Sequence, residues 1–346
     1  MQITVHFATN RNPEGTPVSR FGPRFNPVHP HELRFGEITI DSGKGALPGA
    51  GTDLADKLSA RFDDGFGQVT IYPENLAASP PLLGSGTLFS RLKPRMDQGA
   101  DVLVYIHGFN VSFDEAAGSA AALQHKLDKA GLDIIVVLFT WPSDGKSTPF
   151  ISYKKDRDDA AASGLAFSRA FQKLHDFLVG LPRDAYCGCA IHLLCHSMGN
   201  FVLENTLWHL RKNTPGKLPR IFAEIVLASP DVDDDAFESE NKFGRLTELA
   251  RRINVYFNRG DEALVISDKT KGNPDRLGEG GPKHPMDVPS GVVNLDCSEI
   301  VGGLVEHSYY LDEAFRDVTQ VLAGAREDKI PRRAYVASAN AYRLGK

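Results

Sequence analysis

The sequence predicts an α/β fold, a mostly parallel central sheet with helices on both faces. Three observations carry this. Residues 101–107 (DVLVYIH), 133–141 (DIIVVLFTW), 190–195 and 221–229 are runs of apolar and β-branched residues, as expected of strands buried on both faces. Between them lie segments whose apolar residues recur at helical spacing. The two kinds alternate in order, the pattern of a parallel sheet wound with covering helices.

Taken in order, residues 2–9 and 33–40 read as strands, and the Pro-, Gly- and Arg-rich stretch 10–31 between them as a loop. A short helix is expected at 54–62, a strand at 67–72, and a helix at 87–98 that Gly99 would end. Strand 101–107 leads to helix 112–130, with Phe113, Ala117, Ala120, Leu123 and Leu127 on one face. Strand 133–141 leads to helix 156–179, and strand 190–195 to helix 199–212, which turns Val202, Leu203, Thr206, Leu207 and Leu210 inward. Strand 221–229, a short helix at 246–252, strands 253–258 and 292–297, and a closing helix at 309–322 follow. Residues 267–290 form a long Gly/Pro/charged loop. The expected division is a β-rich extension (1–100) packed on a core (101–325), then a tail (326–346), one structural domain overall.

The composition is that of an ordinary globular chain: 346 residues, 42% hydrophobic and 24% charged, with a net charge of −5. That balance offers no electrostatic reason to expect nucleic acid or an anionic membrane as partner. Cys187, Cys189, Cys195 and Cys297 are too few for a disulfide framework, and none forms a C-x-x-C pair, so spacing supports neither a redox nor a zinc reading. The opening MQITVHFATNR looks like a strand rather than a signal peptide, and no apolar run reaches membrane-spanning length. The expectation is a cytoplasmic protein without a transmembrane segment, acting on a small molecule.

The chemistry is concentrated in residues 191–203, IHLLCHSMGNFVL. A short apolar run meets His196-Ser197-Met198-Gly199, and a helical pattern begins at once. A serine held at a sharp strand-to-helix turn is a nucleophile elbow. The usual pattern is G-x-S-x-G, and here Cys195 stands at its first position. The bland alternative is a structural serine capping the helix start.

A serine needs a histidine to take its proton and a carboxylate to orient that histidine. In this layout the acid and then the histidine follow later strands. Asp261 in FNRGDEAL and His307 in LVEHSYY fit in order and placement. Asp231 in LASPDVDDD is the alternative acid and His284 the rival base. Two amides must stabilise the oxyanion. Met198, after the nucleophile, and Phe109, in the HGFN loop after strand 101–107, are the candidates. Trp141, Tyr309 and Tyr310 are candidates to line the substrate pocket, with a core role as the competing reading.

Other patterns lead nowhere. Asp144-Gly145-Lys146-Ser147 suggests a phosphate-binding loop, but Thr140 stands where its first glycine belongs. Asp231, Asp233 and Asp235 suggest a calcium loop, but Ala236 replaces the glycine and Lys242 the bidentate glutamate. His192 and His196 on one strand would lie ~13 Å apart, too far to share a metal.

The ordered motifs YIHGFN, FTWPSDGK, HSMGN, LASPDVD and HSYYLD, with FATNR and LGSGTLFSRLKPRMDQG before them, resemble a bacterial family of α/β-hydrolases catalogued as a domain of unknown function. The resemblance runs over residues 5–321. It implies an α/β-hydrolase fold and a Ser-Asp-His triad on Ser197, Asp261 and His307, and little about substrate. The function expected is serine-dependent hydrolysis of a small-molecule carboxylic ester through an acyl-enzyme, with no metal and no organic cofactor. Thioesterase, amidase or acyltransferase activity would use the same groups, and a non-catalytic binding or scaffold protein is the alternative of another class. Residues 142–153 and 267–290 are the segments expected as partial lids.

Overall fold

The computed structural model describes every residue except 144–148, 262, 265–274 and 303–306, and every described side chain except those of 149–151. Residues 144–148 of the first expected lid, which include the phosphate-loop-like tetrapeptide, and 267–274 of the second lie outside the described residues.

The centre of the molecule follows the βα alternation. β1 (Gln2–Thr9), β2 (Arg11–Glu14), β3 (Arg20–Phe25), β4 (Arg34–Asp41), α1 (Gly51–Arg61), β5 (Gly67–Ile71) and α2 (Gly84–Asp97) come first. Next are β6 (Asp101–Ile106), α3 (Phe113–Lys129), β7 (Ile134–Thr140), α4 (Pro149–Gly180), β8 (Ile191–His196), α5 (Gly199–Asn213) and β9 (Phe222–Ala228). The chain closes with β10 (Ala250–Phe257), α6 (Leu277–Gly280), β11 (Val292–Asp296), α7 (Phe315–Leu322), β12 (Arg333–Val336) and β13 (Ala341–Leu344). Eleven strands form one sheet in the order β12-β13-β11-β10-β9-β8-β6-β7-β1-β4-β5. All neighbours from β13 across to β1 are parallel. The outer pairs β1–β4, β4–β5 and β12–β13 are antiparallel.

Alternate side chains of each central strand enter opposite layers. Val102 and Ile106 of β6 join Leu193 and Cys195 of β8 beneath α2, α4 and α5, while Leu103 and Tyr105 face α1, α3 and α7. Every residue of β7 and β8 is buried, which is why those strands read as unbroken apolar runs. Ser112 caps α3 by accepting from the Glu115 amide while the Glu115 carboxylate accepts from the Ser112 amide, a reciprocal capping box.

Four expectations are corrected. The loop expected at 10–31 contains the β2–β3 hairpin, pinned by Phe21, whose ring meets Phe7 at 5.6 Å and Phe113 at 5.1 Å. The helix expected at 246–252 is a single 3-10 turn, Leu246–Glu248, because β10 already begins at Ala250 and pairs with β9. The closing helix is broken into a turn at Tyr309–Leu311 and α7, whose apolar residues dock separately. The expected tail supplies β12 and β13, which extend the sheet beyond β11. Among the described residues no helix is long and apolar enough to cross a membrane.

Candidate active site

The nucleophile candidate sits where β8 turns into α5. Ser197 has φ 51°, in the left-handed region that a non-glycine residue occupies only when its surroundings hold it there. Its amide donates to Ala228 O at 2.9 Å, and its carbonyl accepts from the Asp231 amide at 3.2 Å and the Asn200 side-chain amide at 2.9 Å. Asn200 also donates to Cys195 O at 3.1 Å, so a buried side chain clamps both sides of the turn. At Gly199 a Cβ would stand 2.6 Å from His107 O and 2.7 Å from Ile106 O. The helix start can therefore approach β6 only without a side chain.

Beyond the C-terminal ends of β9, β10 and β11 the chain brings two further candidates together. His307 Nδ1 donates to Asp261 Oδ2 at 2.7 Å, and Asp261 is wholly buried. The other oxygen of Asp261 accepts from the Ala263 amide at 3.2 Å, which fixes the carboxylate. The main chain of His307 is held from two sides, by His196 Nε2 at 3.1 Å and Ser229 Oγ at 2.9 Å, both on its carbonyl oxygen. His196 and Ser229 flank Ser197 in sequence and across the sheet, which puts His307 over the serine turn.

Asp231 faces elsewhere. Its carboxylate accepts from Tyr153 Oη at 2.7 Å and pairs with the buried Arg276 at 3.3 Å. Arg276 also bonds Asp233 at 2.6 Å, and Lys242 bridges Asp233 and Asp235. The acidic run that resembled a calcium loop is thus matched by an arginine and a lysine. His284 bonds Glu238 at 2.7 Å on the surface.

The HGFN loop lies directly against the serine turn. A Cβ on Gly108 would meet the Ser197 Cβ at 2.9 Å and His196 Nδ1 at 3.1 Å. Asn110, at φ 57°, donates its amide to Asp156 at 3.2 Å. Phe109 is half-buried with its ring edge-on to Tyr153 at 5.5 Å, and Met198 is fully buried.

A serine at a strained strand-to-helix turn, a carboxylate-bound histidine after the later strands and a glycine loop after β6 are the parts of one fold family. The pattern described as "Alpha/beta hydrolase of unknown function (DUF900)" matches residues 87–326. The chain belongs to this family. No curated protein matches it. Two solved structures of phospholipase PlaB from Legionella pneumophila are similar over 62% of this α/β-hydrolase. The one in complex with thio-NAD is 16% identical with a TM-score of 0.25, and the other 15% identical with a TM-score of 0.26. The hydrolase spans 40% and 42% of those chains, about two fifths of their length.

The three pocket-lining candidates of this α/β-hydrolase are corrected by burial. Trp141 is fully enclosed, stacked on His107 at 5.2 Å with its indole N–H on His107 O at 3.0 Å. Tyr309 donates to Tyr256 O at 3.0 Å, and Tyr310 shares a 2.7 Å hydrogen bond with Tyr105. Both rings are core residues at the base of the His307 loop.

Motif reading missed two supports. His196 is buried between the rings of His307 and Tyr310, each 4.8 Å away. Burial, and then the neighbouring His307, push its pKa down to about 3, so it stays neutral. Arg11 is the other. Its buried guanidinium reaches Val111 O at 2.7 Å, Thr140 Oγ1 at 2.8 Å and Ser143 O at 3.3 Å, tying the HGFN loop to the end of β7. His107 Nε2 accepts from the Trp141 amide at 3.2 Å, which leaves Nδ1 as the donor to Gly108 O at 2.9 Å. Burial, and then Arg11, hold this imidazole well below its ordinary pKa. The FATNR motif that ends in Arg11 was the available signal, but nothing in its residue types shows that a hairpin arginine reaches a loop a hundred residues away.

Proposed function

We propose that this α/β-hydrolase is a serine hydrolase that cleaves small-molecule carboxylic esters through an acyl-enzyme. The observation that carries the reading is the 2.7 Å bond from His307 Nδ1 to buried Asp261, beside a serine held at φ 51°. With Nδ1–H committed to the carboxylate, the lone pair of the imidazole lies on Nε2, where a general base must carry it. Ser197 Oγ attacks the acyl carbon as His307 Nε2 takes its proton. The tetrahedral oxyanion is met by the Met198 and Phe109 amides, and the proton passes from His307 to the departing alcohol. Water then enters by the same route and frees the acid. Asp261 stabilises the imidazolium formed in each half. Esters are the substrate class proposed because an alkoxide leaves more readily than an amine, which must first be protonated.

The test is hydrolysis of p-nitrophenyl esters of short, medium and long acyl chains by wild type and Ser197→Ala, with fluorophosphonate labelling of both. Wild-type activity and label that vanish in the variant are the expected result. Folded wild type that neither turns over any ester nor takes the label at Ser197 would end the reading.

A further inference from the structure

Two turns into α4, the half-buried Arg157 takes no part in the chemistry described so far. Its guanidinium lies over the Phe201 ring, 3.7 Å from the centroid. Its Nη1 donates to Tyr153 Oη at 3.3 Å and to Asp231 O at 3.5 Å. Each of these anchors belongs to the scaffold around the serine turn. Phe201 is in the first turn of α5, and its amide donates to Met198 O at 3.0 Å. The Asp231 amide donates to Ser197 O at 3.2 Å, and the Tyr153 ring meets that of Phe109 in the HGFN loop at 5.5 Å. Arg157 is therefore held beside both the nucleophile candidate and the loop that carries the second proposed oxyanion donor.

Its charge is not matched there. Among the described residues no carboxylate pairs with Arg157; its acceptors are a phenol and a carbonyl, both at long range. Asp231 is engaged by Tyr153 and Arg276, and Asp233 by Arg276 and Lys242. Glu204 is raised to about 7 by burial, so near neutrality it holds its proton for part of the time and does not cancel Arg157 in full. A guanidinium carries five N–H donors in a planar fork that fits a carboxylate or phosphate at two points. Nε and Nη2 of Arg157 donate to no described atom and are not sealed from solvent. The ring of Phe201 fixes the plane of the fork, so little ordering remains for a ligand to bring about.

We propose that Arg157 is the anion-recognition residue of this site, and that the ester substrate carries a carboxylate or phosphate group that the Arg157 fork binds. The proposal rests on the ester-hydrolase reading and names the class of ester. A two-point pair with Arg157 orients the substrate against Ser197, and it distinguishes anionic esters from neutral ones of the same length.

The experiment compares two matched pairs of esters in wild type, Arg157→Gln and Arg157→Lys. Mono-p-nitrophenyl adipate against p-nitrophenyl hexanoate places the anion on the acyl arm. 4-Acetoxybenzoate against its methyl ester places it on the leaving alcohol. Wild type is expected to favour the anionic member of one pair by roughly 10- to 100-fold in kcat/KM, mainly through KM. Arg157→Gln should bring that ratio to about 1, and Arg157→Lys should keep part of it. Because both esters of a pair meet the same protein, a loss of folded enzyme cancels in the ratio. A wild-type ratio near 1 in both pairs, or a preference that survives in Arg157→Gln, overturns the proposal. Calorimetry on Ser197→Ala with adipate and with inorganic phosphate needs no turnover and separates carboxylate from phosphate recognition. Where no ester is turned over, anion binding that is lost when Arg157→Gln is added keeps the Arg157 site and ends the ester reading alone. In that case, binding of neither anion overturns the site as well.

Discussion

His196 holds the main chain of His307: its Nε2 donates to the His307 carbonyl at 3.1 Å, and the two rings stand 4.8 Å apart. The residue before the nucleophile candidate thus fixes the loop that carries the base candidate. Because His196 stays neutral, it can do this without setting a positive charge beside the imidazolium that forms on His307. His196→Ala should lower kcat by on the order of 10- to 100-fold with little change in KM, since small misplacement of a reacting group is costly. His196→Gln, which keeps a donor, should recover much of that loss. Wild-type kcat in the alanine variant would show that the contact positions nothing.

Asp261 and Asp231 should separate by phenotype. Asp261→Asn removes the carboxylate that orients His307 and should cut kcat roughly 10³- to 10⁴-fold, with the fold retained. Asp231→Asn weakens the partner of Arg276 and Tyr153, so its main cost should fall on stability, about 1–3 kcal/mol. Steady-state kinetics beside denaturant unfolding of both variants makes the comparison. The reverse ranking in kcat would move the acid role to Asp231.

The strands that read clearly are those whose stability comes from apolar burial. β6, β7 and β8 are enclosed on both faces, so their composition alone marks them. Elements held by polar, long-range contacts are illegible by the same measure. β12 docks because Arg333 forms a two-point pair with Asp317, at 2.7 and 2.5 Å, while Tyr256 donates to the same carboxylate. A basic segment of little periodicity thereby becomes the edge strand of the sheet. The hairpin at β2 and β3 is hidden by its Pro and Gly residues and held by Phe21 and Arg11. In the candidate site, motif order singled out Asp261 and His307, and the structure joins these two by a 2.7 Å hydrogen bond. The buried states of Trp141, Tyr309 and Tyr310 depend on which way a strand end or turn faces, which no local pattern encodes.

Gly108 offers a steric test of the contact between the HGFN loop and the serine turn. In Gly108→Ala the new methyl would sit 2.9 Å from the Ser197 Cβ and 3.1 Å from His196 Nδ1, so loop or turn must shift. The expected cost is about 1–3 kcal/mol of stability from overpacking. A loss of kcat well beyond what the remaining folded fraction explains should accompany it, because the displaced loop carries the proposed Phe109 donor. The paired readout is a thermal melt and ester turnover; full activity per folded molecule would remove the loop from the chemistry.

Acid should destabilise the protein below neutrality. Burial lowers the pKa of His6 to about 4 and that of His196 to about 3, and holds His107 well below the ordinary 6.5. Between 6.5 and those folded values the unfolded chain binds protons that the folded chain refuses, so stability falls as pH falls, by about 1.4 kcal/mol per pH unit for each such proton. Glu204 acts the other way. Its pKa is raised to about 7 by burial, so the folded chain keeps a proton that the unfolded chain releases above 4.5, and acidification through that window favours the fold. His125 and His209, also lowered by burial, act with these three histidines, and Asp114 and Asp234, raised by burial, act with Glu204; the net expectation is a lower guanidinium midpoint at pH 5 than at pH 7.5. Glu204→Gln should steepen that decline by removing the opposing group. A midpoint that is flat or rises on acidification would mean that these imidazoles accept protons in the folded protein.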